Sequence, residues 1–260
     1  MLSWRKLVWG VSPIPFFNMK EYRSHLTPKQ RVALFNAFLF DELATSMSPT
    51  THNAAALAKV NKRTACLTYR YARERIAAEQ SGLVHLSGTI EIDHHEFNAR
   101  RAKRYKKIGE PDEFGHYKYK QLPTLSFIVF GLLERDPKEK RHRVFVQIVK
   151  RKDKRTTQPI VRHVVDPGST LMSDMWRAFN DIGPEYTHKR VNHAKGKFAR
   201  REGDEVITTA TIDQFWQFCG RRLERFNGVS KSTIALHIQE CAFRYNHRHD
   251  LKKALKKLLL

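Results

Sequence analysis

The stretch GTIEIDHHEF, residues 88–97, constrains the fold more than any other run in the chain. Ile90 and Ile92 alternate with Thr89, Glu91 and Asp93, the two-residue period of a strand. The alternation then gives way to His94 and His95, so the strand is expected to end on Asp93. Burying a carboxylate is costly unless something compensates it. In a chain with 48 Lys and Arg against 26 Asp and Glu, an acid at the end of an early apolar strand calls for a purpose.

The rest of the chain after residue 83 supplies a context for it. TLSFIVFGLLE and RHRVFVQIVK read as two further strands, antiparallel neighbours joined after a basic connector, ARRAKRYKKIGEPDEFGHYKYKQ. KRTTQPIVRHVV reads as a helix, DPG as a turn, and STLMSD as a short strand ending on Asp174. MWRAFNDIG is expected to make a helical turn or two. A long amphipathic helix follows, TIDQFWQFCGRRLERFNG, with Ile212, Phe215, Trp216, Cys219 and Phe226 on one side. The remainder is helical with a basic face. Strand with acid, two strands, helix, strand with acid, then helices is the order of an RNase H-like α/β fold, a mixed sheet flanked by helices. Fold analogy of this kind sets only a prior for function.

Residues 27–82 read differently. Thr27, Pro28 and Gln30 open a helix with a capping box, and Val32, Phe35, Leu39 and Leu43 recur at helical spacing. A shorter helix, a turn near Val60 and Asn61, and a longer helix follow, the last carrying Lys62, Arg63, Arg70, Arg73 and Arg75 around Tyr69 and Tyr71. This layout resembles a helix-turn-helix whose second helix enters a DNA groove. A plain helical subdomain with a solvated basic face reads equally from the pattern. The expected organisation is an N-terminal arm at 1–26, a small all-α domain at 27–82, a catalytic domain at 83–250 and a basic amphipathic tail at 251–260.

A net charge of +22 in 260 residues points to a polyanionic partner, nucleic acid before an anionic membrane surface. No run approaches the length of a membrane span. Cys66, Cys219 and Cys241 form no CxxC pair, so neither a disulfide framework nor a zinc ribbon is expected, in keeping with an intracellular location.

Asp93, Asp174 and Asp213 are the acids placed for chemistry. Phosphodiester cleavage assisted by two hard cations needs oxygen ligands of this kind on rigid elements. Each acid also has a structural reading. Asp174 is positioned to cap a helix starting at Met175. Asp213 falls in the first turn of a helix opened by a Thr211–Gln214 capping box, where the helix dipole favours an acid. His94 and His95 are placed either to touch a metal or phosphate or to serve as ordinary core and surface residues.

GTIEIDHHEF, LMSDMWRAF, RVNHAKGKF, TTATIDQFWQFCGRRLERFNGVS and QECAFRYNHR, in this order, resemble the transposase domain of Merlin-type DNA transposons and their bacterial insertion-sequence relatives. The resemblance covers residues 83–248. It implies a DDE/D active site in which Asp93, Asp174 and Asp213 bind two Mg²⁺ or Mn²⁺ ions, with His193 of the Asn192-His193 pair nearby. It further implies cut-and-paste transposition on double-stranded DNA, at terminal inverted repeats and target, by a homodimer or larger assembly. Phosphate contacts are then expected from Lys62, Arg63, Arg70 and Arg73, from Arg100, Arg101, Lys103, Arg104, Lys106 and Lys107, and from Arg221 and Arg222. The expected location is DNA-associated: the nucleus of a eukaryote, or the cytoplasm and nucleoid of a bacterium. The chain departs from the family pattern at Asp213, where glutamate is usual, and at Thr208 and Ala210, where histidine and asparagine are common. Two alternatives follow from these departures and from the fold: a domesticated DNA-binding protein without catalysis, and an RNase H-like nuclease.

Overall fold

The computed structural model of the chain describes residues 26–40, 51–82, 85–98, 105–121, 126–136, 141–192, 199–203, 205–226, 229–230 and 232–259. In chain order its elements are α1 (Pro28–Phe40), α2 (Thr51–Ala58), α3 (Lys62–Gln80), β1 (Thr89–Asn98), β2 (Tyr105–Ile108), β3 (Lys118–Gln121), β4 (Ser126–Glu134) and β5 (Arg143–Val149). They continue with α4 (Lys154–Val164), β6 (Thr170–Ser173), a 3₁₀ turn (Arg177–Phe179), β7 (Thr187–Arg190), β8 (Ala199–Glu202), β9 (Glu205–Thr208), α5 (Ala210–Glu224), α6 (Ile234–Asn246) and α7 (Leu251–Leu259).

The alternating run at 89–93 forms a strand longer than its sequence suggests. β1 continues to Asn98, so Asp93 lies inside it rather than at its end. The reason is its antiparallel partner: β4 pairs with β1 from Ile90↔Glu134 to Asn98↔Ser126, and that ladder carries the backbone past the two histidines. The five strands stand in the order β5-β4-β1-β6-β7. β4 is antiparallel to β1 and β5, whereas β1, β6 and β7 run parallel. This is the mixed sheet of the RNase H-like fold, with the α4 crossover between β5 and β6 that parallel strands require. The crossover closes through Asp166–Gly168, where Gly168 takes a φ of 85° open to glycine without strain.

Both faces of the sheet are covered. Ile90 and Ile92 point to one face, as does His94, which stacks on Phe179 of the 3₁₀ turn at 5.1 Å. Glu91, Asp93 and His95 point to the other, where α5 lies with Ile212, Phe215, Trp216 and Cys219 buried. The strand alternation thus separates the histidines: His94 becomes core and His95 joins the face of Asp93.

The chain divides into two compact units, one within 84–235 and one combining residues of 1–83 and 236–260. The expected catalytic domain therefore gives up its last stretch. Phe243 of α6 and Leu251 and Leu255 of α7 share one core with Leu34, Phe38, Ala55 and Ile76 of the N-terminal helices. In the same unit Arg244, fully buried, donates to the carbonyl of Phe38 at 2.7 Å and to Glu240 at 2.8 Å, and Glu240 accepts from Arg73 at 2.6 Å. Asn246 donates to Gln80 at 3.0 Å. The Arg-x-Asn pattern at 244–246 is thus framework that joins α6 to α1 and α3. The capping box at the start of α1 is present, Thr27 and Gln30 exchanging side-chain and backbone bonds of 3.0 and 3.3 Å. Val32, expected on the apolar stripe, is instead 48% exposed, because α1 buries Leu34, Ala37 and Phe38. Leu43 lies outside the described residues.

Candidate active site

The register of the parallel strands brings two acids together. Ile92 and Ser173 are the last residues paired between β1 and β6. The next residues along the two strand directions are Asp93 and Asp174, side by side where parallel pairing stops. Asp174 does not cap a helix at Met175. Its Oδ1 accepts a bond from the backbone N–H of Trp176 at 2.9 Å, closing a tight turn, and helical backbone begins only at Arg177. Arg190, at the end of β7, donates to the carbonyls of Asp174 and Trp176, each at 3.3 Å, which fixes this turn against the sheet.

Asp213 arrives from above on α5. The helix begins at Ala210, two residues earlier than a Thr211–Gln214 box would place it, and Thr209 at its N-cap makes no side-chain cap bond. Two other groups serve the orphan donors that every helix start presents. Thr208 Oγ1 accepts from Ala210 N at 3.1 Å. Glu91, on β1 and fully buried, accepts from Ile212 N at 2.8 Å. Arg135 places Nε 3.1 Å from the other Glu91 oxygen, a charge contact without hydrogen-bond alignment, and donates to Val206 O at 3.1 Å. A strand carboxylate thus holds the N-terminus of α5 to the face that bears Asp93, and with it Asp213. Burial raises the Glu91 pKa; the backbone bond from Ile212, the Thr211 hydroxyl and Arg135 oppose that rise.

Asp93 is held from the same helix. Trp216 Nε1 donates to Asp93 Oδ2 at 2.8 Å, and the imidazole of His95 stacks on the indole at 5.4 Å. The indole reaches this position only because residue 131, directly opposite Asp93 on β4, is glycine. A Cβ there would stand 2.6 and 2.7 Å from two carbons of the Trp216 ring. Burial, with smaller contributions from the negative charges of Asp213 and Asp174, pushes the Asp93 carboxyl up to about 7, against the bonds from His94 N–H and Trp216. Asp93 therefore senses both other acids. Among the described residues no three His, Cys, Asp or Glu side chains close into a ready-made metal cage. The donor set nonetheless fits a hard divalent cation: it is all oxygen, and burial together with two neighbouring acids raises the Asp93 carboxyl, a cost that a bound cation would relieve.

The remaining expected residues fall in several places. His193 and Arg100, Arg101, Lys103 and Arg104 lie outside the described residues. Lys106 is on β2. Lys62 and Arg63 are exposed at the start of α3, and Arg70 is exposed beside Glu74, 2.9 Å away. Arg73 is not on that surface. It is buried against Glu240, because the α3 face it occupies packs on α6. Lys107 is exposed with its ammonium 3.9 Å from the Tyr117 ring centroid. On α5 Arg221 is exposed, whereas Arg222, on the helix side that carries Cys219, is buried. His94 is turned away from the acids: its ring lies between Phe130 and Phe179 on the opposite face of β1, where burial, with Lys152 adding to it, lowers its pKa to about 4.

A mixed β5-β4-β1-β6-β7 sheet flanked by helices is the RNase H-like arrangement of a transposase domain. The chain belongs to the ISXO2-like transposase domain family, which residues 85–246 match. It also resembles a protein of Haemophilus influenzae described as an uncharacterized transposase-like protein. The two are 32% identical over 106 residues, which is 40% of this chain and 82% of the relative. Among the described residues no helix is long and apolar enough to cross a membrane.

Proposed function

We propose that this transposase-family chain is an active DDE/D enzyme that cuts DNA at the ends of a mobile element and joins those ends to target DNA. The observation that carries the reading is the emergence of Asp93 and Asp174 side by side at the end of the β1–β6 register, with Asp213 delivered to the same face by α5. Asp93, Asp174 and Asp213 would hold Mg²⁺ or Mn²⁺, which supplies charge stabilisation and an activated oxygen nucleophile for phosphodiester chemistry. The chain's own groups do the positioning. Trp216 orients the Asp93 carboxylate, Glu91 seats the helix that carries Asp213, and Arg190 holds the Asp174 turn. His193 completes the set as a phosphate contact or proton carrier.

Substrate engagement follows from charge. Lys62, Arg63, Lys107 and Arg221 are exposed cations for phosphates of double-stranded DNA, and α2, a short turn and α3 would act as a helix-turn-helix reading the terminal repeats. Synapsis of two ends calls for a homodimer or larger assembly, in the DNA-containing compartment. The kinship with Merlin-type elements belongs to the same reading and rests on the five ordered motifs. A second reading, DNA binding without cleavage, is favoured by the departures from the resembled family's pattern: Asp213 in place of glutamate, and Thr208 and Ala210 where histidine and asparagine are common.

The deciding experiment incubates the full chain in Mg²⁺ with DNA bearing the inverted repeats that flank its coding region. The expected outcome is nicking at the repeat ends and strand-transfer products. Asp93→Asn and Asp174→Asn should lose both products and keep DNA affinity. Normal cleavage by either variant would remove that acid from the site, and cleavage without strand transfer would favour a nuclease.

A further inference from the structure

Two residues beyond Asp174 the surface carries a feature that metal binding does not explain. Met175 and Trp176 are 50% and 49% exposed. Large apolar side chains left in water beside a candidate active site mark a contact surface. The indole is also rigidly held. Its Nε1 donates to the carbonyl of Lys152 at 3.1 Å, and its backbone N–H donates to Asp174 Oδ1 at 2.9 Å. Its own carbonyl accepts from Phe179 N at 3.1 Å and from Arg190 at 3.3 Å. The polar edge of the ring is therefore satisfied while about half of the residue faces solvent. The Lys152 ammonium lies 5.9 Å from the ring centroid and pairs with Glu96 at 2.8 Å. Arg177, next to Trp176 in the chain, and Arg151, next to Lys152, are both exposed.

A fixed aromatic face with an apolar neighbour and flanking cations matches a flat base on an anionic backbone. A paired base inside a duplex has both faces covered, so it offers nothing to such a surface; a base at a frayed end or one turned out of the stack does. We propose that Trp176, with Met175 beside it, is the stacking platform for an unpaired nucleobase of the DNA strand whose backbone is brought to Asp174. The proposal rests on the reading of the acids as a DNA-cleaving site and adds to it how the strand end is held. Bases are gripped through their common π-face, so the platform is tolerant of sequence.

The test uses the full chain in EDTA, so that only binding is read. The probes are a short duplex ending in a single-stranded overhang that carries 2-aminopurine, and the same duplex with blunt ends. The wild type should prefer the overhang and quench its fluorescence. Trp176→Ala should lose the quench and weaken overhang binding roughly 5- to 150-fold, the range for one aromatic–base stack, with blunt-duplex affinity unchanged. Trp176→Phe keeps a flat ring and should retain much of both signals; it also decides the matter if the alanine variant does not fold. Unaltered quenching in Trp176→Ala, equal loss for both probes, or a wild type without overhang preference would overturn the platform. If the wild type shows these binding signals but never cleaves in Mg²⁺, the transposase chemistry fails and the platform stands.

Discussion

Asp93 concentrates the electrostatics of the site, and its consequences can be measured without substrate. Its folded pKa of about 7 lies above the ordinary carboxylate value of 3.8, so the group opposes folding increasingly as the pH rises from 3.8 and in full above 7. That opposition is relieved as pH falls from 7 towards 3.8, where the folded carboxyl is protonated and the unfolded one is not. In EDTA, Asp93→Asn should therefore melt above the wild type at pH 8, and the gap should shrink progressively as the pH is lowered from 7 towards 3.8. A gap independent of pH would contradict the burial and crowding described here. Asp213 poses a different question, because the first turn of α5 favours an acid for structural reasons alone. The helix-dipole contribution is about 0.3–1 kcal/mol, so Asp213→Asn should change stability by no more than that while cleavage falls by orders of magnitude. Asp213→Glu should recover part of the activity, best in Mn²⁺. Full activity in Asp213→Asn would leave only the dipole role. Glu91 was hidden for a simple reason: its sequence signal is the i, i+2 spacing to Asp93, which places it on the same face. Nothing in the sequence says that a helix starts above it.

The elements that the sequence made legible are those with long apolar patterns. β1, β4, β5, α4 and α5 announce themselves by period and length, and the order of these elements is enough to place Asp93 and Asp174 near one another. The short strands β7, β8 and β9, four residues each, have no comparable signature. β7 exists because β6 offers it a parallel edge, and β8 and β9 because they pair with each other. The β2–β3 hairpin was similarly masked by the basic composition of its connector. At the start of α5 a local Thr–Gln pattern imitates a capping box, whereas the N–H groups there are served by Thr208 and by Glu91, the latter 121 residues away in sequence on β1. In the helical unit, the consequence of α6 packing with α1 and α3 is that Arg73 is structural. Arg73→Ala leaves part of the buried Glu240 charge uncompensated and should cost about 3 kcal/mol in urea unfolding. A cost of a few tenths, together with weakened DNA binding, would return Arg73 to the surface. For the same reason, removal of residues 1–80 strips α6 and α7 of their core and is unsuited to isolating a catalytic domain.

Taken as a whole, the chain pairs an acid cluster with an excess of positive charge far larger than one site needs. If that excess serves a DNA backbone, log K against log salt should be steep, each neutralised phosphate contributing a slope of roughly −0.9. A slope near −1 or −2, one or two contacts, would be inconsistent with a DNA-wrapping surface. Such binding would not by itself separate an active enzyme from a DNA-binding relic, since either would carry the charge. The separation lies in whether Asp93, Asp174 and Asp213 act as one metal site. Titration of Mn²⁺ into the full chain, followed by electron paramagnetic resonance at pH 8, measures this directly. The wild type should bind Mn²⁺, and Asp93→Asn, Asp174→Asn and Asp213→Asn should each weaken that binding sharply while remaining folded. Mn²⁺ binding that is absent from the wild type, or that survives all three substitutions unchanged, would contradict the assignment.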